Sequence, residues 1–166
     1  MAEKSYTLAD VKNDIRSFFT DDAHKLFRYG DPTPDCNKDC PFHKRGLQLL
    51  FEESEESPGK GLRLLRGKVV RLPRDVKTPH MGWNTLKILR QAELLDGIDE
   101  NSYFYFVHSY YPDPVDQKVV AAETTYGVDF TSVLAIGELY ATQFHPEKSG
   151  EAGALILQNF AGMVKR

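Results

Sequence analysis

From Leu62 to Phe144 the sequence runs in short segments rich in β-branched, leucine and aromatic residues, and glycine and proline keep interrupting them. Side chains of this kind suit the pleated surface of a strand, and glycine breaks between such runs mark turns. Leu62–Leu72 suits one or two strands, and the aromatic run Tyr103–Tyr111 reads as a buried one. Val119–Thr125, Phe130–Ile136 and Leu139–Phe144 are further strand candidates. Ser149 is placed to cap a last helix that carries Ala154, Leu155, Leu157, Phe160 and Val164 on one side. The mixture predicts an α/β fold.

The character of the chain changes near Gly46, which divides it into 1–45 and 46–166. In the first part Leu8, Val11, Ile15, Phe18, Phe19, Leu26 and Phe27 recur at helical spacing behind Thr7, a suitable N-cap. One amphipathic helix over 8–28 is expected, followed by a turning loop at Asp31-Pro32-Thr33-Pro34-Asp35. In the second part Gly46–Phe51 reads as the start of a short helix. An acidic stretch with Glu52, Glu53, Glu55 and Glu56 follows, and Pro58-Gly59 breaks it.

Composition narrows the function classes. A chain of 166 residues with 41% hydrophobic and 27% charged residues has the make-up of one globular domain. Its net charge of −3, from 21 basic and 24 acidic residues, offers nucleic acid no basic stripe. The apolar runs are too short to span a bilayer, and Met1-Ala2-Glu3-Lys4-Ser5 has no apolar signal core. A cytoplasmic protein is expected. Cys36 and Cys40 make no disulfide framework. With His43 they have the spacing of a three-ligand zinc tract, but no fourth ligand stands nearby, and a pair of reduced loop cysteines is the plainer reading. No metal and no cofactor are expected.

The sharpest motif is Gln143-Phe144-His145-Pro146-Glu147-Lys148-Ser149. At a strand end, His145 and Glu147 stand two apart and point to the same face. A carboxylate there accepts a hydrogen bond from one imidazole nitrogen and leaves the other as a base, while Pro146 restricts the backbone between them. Taken alone, such a pair is more often a surface feature than a catalytic one. A second motif, Lys77-Thr78-Pro79-His80-Met81-Gly82-Trp83-Asn84, places an apolar anchor beside a glycine turn, at home in a core or an interface.

The two motifs, in this order and more than 60 positions apart, resemble those of the glutaminase subunit of imidazole glycerol phosphate synthase, a class I glutamine amidotransferase. The resemblance runs from Gly46 to Arg166 and implies a flavodoxin-like α/β sheet. It implies that His145 is general base and acid and that Glu147 orients it. The tract Gly46–Glu56 is similar to the segment after the family's nucleophile, so Gln48 and Glu56 correspond to glutamine contacts. Phe106-Val107-His108-Ser109-Tyr110 resembles the strand whose backbone also touches glutamine, adding His108, Ser109 and Tyr110. The signature His80, Met81, Gly82, Trp83 and Asn84 lies, in the family, close to the partner synthase subunit, a (βα)₈ barrel.

Upstream of Gly46 the resemblance stops. The family has a buried strand leading to Gly-Ile-Cys-Leu-Gly, whereas this chain has Phe42-His43-Lys44-Arg45-Gly46, with Lys44 in the nucleophile's place. The reaction needs a thiolate to form a thioester, and a lysine is protonated near neutral pH. Cys40 is no substitute, because Pro41 after it has no N–H to help bind an oxyanion. Cys36 follows the loop 30–35 rather than a buried strand. The family's oxyanion glycine strand is likewise missing from residues 1–45. The sheet is therefore expected to be truncated or rearranged at its start, and glutaminase chemistry impaired. The alternative is an inactive module that docks on the barrel.

Overall fold

Residues Gly46–Arg166 form a unit by themselves, and the computed structural model describes residues 47–56 and 61–164 of the chain. The helix expected over 8–28, the two cysteines, His43 and Lys44 lie outside the described residues. Among the described residues nine strands and one α-helix follow in order: β1 (Phe51–Ser54), β2 (Leu65–Arg71), β3 (His80–Thr85), β4 (Lys87–Ile88), β5 (Tyr103–His108), β6 (Tyr110–Pro114), β7 (Val120–Thr125), β8 (Asp129–Ile136), β9 (Leu139–Thr142) and α1 (Gly150–Val164). Short 3₁₀ turns at Gln48–Leu50 and Pro146–Lys148 matter for the site.

The strands make three sheets, ordered β1-β2-β6, β3-β5 and β4-β7-β8-β9. β1 runs parallel to β2, and the other pairs are antiparallel. β8 is buried from Phe130 to Ala135 on both of its faces, as a central strand must be. The larger core gathers Phe104, Phe106, Phe130, Phe144, Val133 and Ile156. Phe106 meets Phe130 edge-on at 5.8 Å and 89°, and Phe144 at 5.7 Å and 70°, the geometry that ring quadrupoles favour. A second core joins Leu47, Leu50, Phe51 and Val69 to Val120 and Leu134. Each such side chain contributes roughly 1.5–3 kcal/mol on burial. This second core anchors the turn that carries Gln48.

Three expectations change in detail. The helix read at Gly46–Phe51 is only the 3₁₀ turn Gln48–Leu50, and Phe51 and the acidic residues after it enter β1. Pairing with β2 recruits Glu52 and Glu53: Phe51 is buried and Glu53 is exposed. The aromatic run Tyr103–Tyr111 is two strands, broken by a bend at Ser109. In α1 the inward side carries Gly153, Ile156 and Asn159, while Ala154, Leu157 and Phe160 are exposed. Asn159 faces inward because its amide donates to the carbonyls of Leu94 (3.1 Å) and Asp96 (2.8 Å). Among the described residues no helix is long and apolar enough to cross a membrane.

Candidate active site and outward-facing strand

β5 organises the site. On one edge it pairs with β3, with His80 opposite His108, Met81 opposite Val107 and Trp83 opposite Tyr105. On the other edge Tyr105 holds the turn after β9: its carbonyl accepts the His145 N–H (2.9 Å), and its N–H donates to Ser149 Oγ (3.0 Å). Ser149 Oγ in turn donates to the His145 carbonyl (2.6 Å). The hydroxyl expected to cap the last helix therefore ties the His145 turn to β5. Ser149 is buried, so losing that hydroxyl would strand the Tyr105 N–H away from water, while the His145 carbonyl would keep the Lys148 N–H (3.0 Å).

His145 and Glu147 do come together, but by a route other than strand alternation. β9 ends at Thr142, and Pro146–Lys148 is a 3₁₀ turn that folds Glu147 back toward His145. His145 Nδ1 donates to Glu147 Oε1 at 3.0 Å. A carboxylate only accepts, so the proton sits on Nδ1 and the lone pair on Nε2. The result is an oriented imidazole base. Gly153 lets α1 start close beneath this turn: a Cβ there would lie 1.9 Å from the Pro146 carbonyl oxygen and 2.7 Å from Ser149 Cβ.

The residues assigned to glutamine fall into two groups. Gln48 Nε2 donates to the Tyr110 carbonyl (2.9 Å), which also accepts from His108 Nδ1 (3.0 Å). Ser109 lies at the bend between them, its carbonyl taking the Leu72 N–H (2.9 Å). Glu56 is exposed just beyond β1, and its own N–H donates to Ser54 Oγ (3.2 Å). Burial pushes the His108 imidazole down to about 4; protonated His80 and His145 would push the same way, while the Tyr110 carbonyl opposes.

The signature on β3 splits between two faces. His80 is buried and stacks on Tyr126 at 3.9 Å, with its pKa lowered by burial. Asn84 turns to the neighbouring sheet, its amide donating to the Thr125 carbonyl (3.0 Å). Alternation along the strand sends His80 and Asn84 inward. Met81 (63% exposed) and Trp83 (55% exposed) point out, beside Tyr103 and Val107 of β5. Gly82 between them has φ +147°, which only glycine adopts without strain. Trp83 meets Tyr105 edge-on at 5.7 Å, and Tyr105 lies 6.4 Å from the His145 ring. Sequence reading missed Tyr105, whose place follows only from the β3–β5 register. Among the described residues no three His, Cys, Asp or Glu side chains gather as a metal site.

An oriented imidazole–carboxylate pair on the turn between a strand and the last helix of an α/β unit is an acid–base device on a familiar scaffold. Residues 45–163 match the profile of glutamine amidotransferase class-I, and the chain belongs to that family. Among curated relatives it is similar to imidazole glycerol phosphate synthase subunit HisH of Methanothermobacter thermautotrophicus, 53% identical over 121 residues, covering 72% of this chain and 60% of the relative. The HisH subunits of Methanocaldococcus jannaschii (49% over 120 residues, 72% and 61% covered) and Geobacillus kaustophilus (53% over 126 residues, 72% and 59% covered) are similar to the same extent. The chain spans about three-fifths of the length of these relatives. Its fold is also similar to a solved Thermoplasma acidophilum protein described as one subunit of GMP synthase, with TM-score 0.50 and 21% identity over 60% of this chain and 49% of that one.

Proposed function

We propose that this chain is, by descent, the glutamine amidotransferase subunit of an imidazole glycerol phosphate synthase, acting in histidine biosynthesis in the cytoplasm with no metal or cofactor. The observation that carries the reading is the His145–Glu147 pair at 3.0 Å, held on β5 by Ser149. Relatives about 50% identical over this stretch bear the HisH name. In the proposed reaction a nucleophile attacks the glutamine side-chain amide. His145 Nε2 takes the nucleophile's proton as it attacks and passes it to the departing ammonia; it then takes a proton from the attacking water and returns it to the nucleophile as glutamate leaves, with Glu147 stabilising the imidazolium formed in each half. Gln48, Glu56, His108, Ser109 and Tyr110 surround the substrate, and the ammonia serves a (βα)₈-barrel synthase subunit. Met81 and Trp83 dock on that barrel, Gly82 shaping the strand between them, with His80 and Asn84 bracing it from behind.

Lys44 stands where the thiol belongs, so the glutaminase half of the reaction is impaired. A protonated amine does not attack an amide, and an amide formed on lysine would not turn over. The outward Met81–Trp83 strand, complete where the nucleophile is not, favours a second reading as an inactive docking module. One experiment separates them: mix the purified chain with a barrel synthase subunit, then measure complex formation and glutamate release from glutamine. Complex without glutamate supports docking with impaired chemistry. Glutamate release would show that a nucleophile other than a family cysteine operates, and absence of a complex would remove the partner.

A further inference from the structure

The chemistry proposed above gives the side chains of two buried histidines no step of their own. His80 (4% exposed) and His108 (7% exposed) face each other across β3 and β5, with His80 Nδ1 at 3.1 Å from His108 Nε2. His108 Nδ1 lies 3.0 Å from the Tyr110 carbonyl. These contacts fix the protons. A carbonyl accepts only, so His108 carries its proton on Nδ1; its Nε2 is then the acceptor in the neutral ring, and His80 donates from Nδ1. The rings are wedged among aromatics: His80 against Tyr126 (3.9 Å) and Phe106 (5.2 Å), His108 against Phe130 (4.8 Å). Burial disfavours the charged form of both rings.

The same Tyr110 carbonyl accepts Gln48 Nε2–H at 2.9 Å. One carbonyl oxygen has two lone pairs, and here both are engaged. This bond limits rotation of the planar amide about its Cγ–Cδ bond, and so directs the second N–H and Oε1. A directed chain therefore runs His80 Nδ1–H to His108 Nε2, His108 Nδ1–H to the Tyr110 carbonyl, and Gln48 Nε2–H to that same carbonyl.

We propose that His108, backed by His80, is a positioning residue for glutamine binding: it holds the Tyr110 carbonyl, and the carbonyl sets the amide of Gln48. The inference rests on the reading of Gln48 as a glutamine contact. A pair that only filled the core would have no need of defined tautomers, and an aromatic ring at position 108 would serve as well.

Two measurements decide it on the full chain. Long-range proton–nitrogen NMR of the wild-type protein should show both histidines neutral at pH 7 with the proton on Nδ1. A His108 proton on Nε2 would overturn the proposal without any variant. Calorimetry with L-glutamine should then show His108→Phe weakening binding about tenfold, the cost of one lost hydrogen bond. His108→Asn, whose Nδ2–H reaches the place of the ring Nδ1–H, should stay within about twofold. The Gln48 side-chain amide resonances should move in the first variant and hold in the second. Unmoved Gln48 resonances in a folded His108→Phe protein would sink the positioning role. Gln48→Ala is the separate control: wild-type affinity in that variant, or no binding in the parent, would remove Gln48 as a contact, while the tautomers and amide resonances still decide what His108 does.

Discussion

Lowering the pH should destabilise this domain through His108. Burial holds the imidazole at about 4 in the fold, against an ordinary value of 6.5 once the chain is open. The open chain therefore binds more protons between these values, and stability falls as pH falls. The contribution is complete above about pH 6.5 and is lost progressively as the pH drops toward 4. At about 1.4 kcal/mol per pKa unit the whole gap is worth about 3 kcal/mol, most of it lost between pH 7 and 4.5. That is a large share of the 5–15 kcal/mol typical of a domain. The comparison protein is His108→Asn, which has no titrating ring there and keeps a donor toward the Tyr110 carbonyl. Urea unfolding followed by circular dichroism at pH 7, 5.5 and 4.5 should give a wild-type midpoint that falls faster than the variant's, by roughly 1–2 M over this range. His80, also lowered by burial, is present in both proteins and largely cancels. Parallel pH curves for the two proteins would refute the reasoning, because they would mean that His108 is no harder to protonate folded than unfolded.

Other expectations concern the nucleophile, the partner and the turn. Lys44→Cys alone should not bring back glutamate release, because a nucleophile also needs a glycine turn, now occupied by Phe42, and an oxyanion donor whose loss costs about 10²–10³ in rate. Grafting a complete family N-terminal half onto Gly46 should restore far more, and equal rates from the two proteins would defeat this argument. Trp83→Ala should weaken binding to the barrel subunit by on the order of 2 kcal/mol, as a central aromatic anchor does, with unfolding unchanged; titration calorimetry checks it. Gly153→Ala should destabilise the domain by about 1–3 kcal/mol, since its Cβ has no room against Pro146 and Ser149, and a thermal melt like the parent's would contradict the packing.

Most strands were legible because their side chains are of the kind that pleated surfaces bury. β1 was not: Glu52 and Glu53 look like loop residues until Phe51 and Ser54 find Leu65 and Val69 on β2. The inward face of α1 was not legible for a related reason. Leu157 and Phe160 made an apolar stripe in sequence, but the side that meets the core is chosen by Ile156 and by two carbonyls that hold Asn159. In the site, the nearness of His145 and Glu147 was readable from their spacing, whereas the turn that achieves it was not. The pairing of His80 with His108, 28 positions apart, depends on strand register and leaves no trace in local sequence.

The atom on which Gln48 and His108 converge belongs to the main chain. Heredity edits side chains, so no codon change at position 110 deletes that carbonyl, and the tyrosine there is free to vary without loosening the knot. Substitution can reach it only through the two donors or by shifting the bend at Ser109. A chemist, by contrast, can reach it directly: an ester in place of the peptide link between Tyr110 and Tyr111 weakens the acceptor and leaves every side chain as it is. Such a junction drifts slowly, because its central part is written into the backbone and only its periphery into the gene.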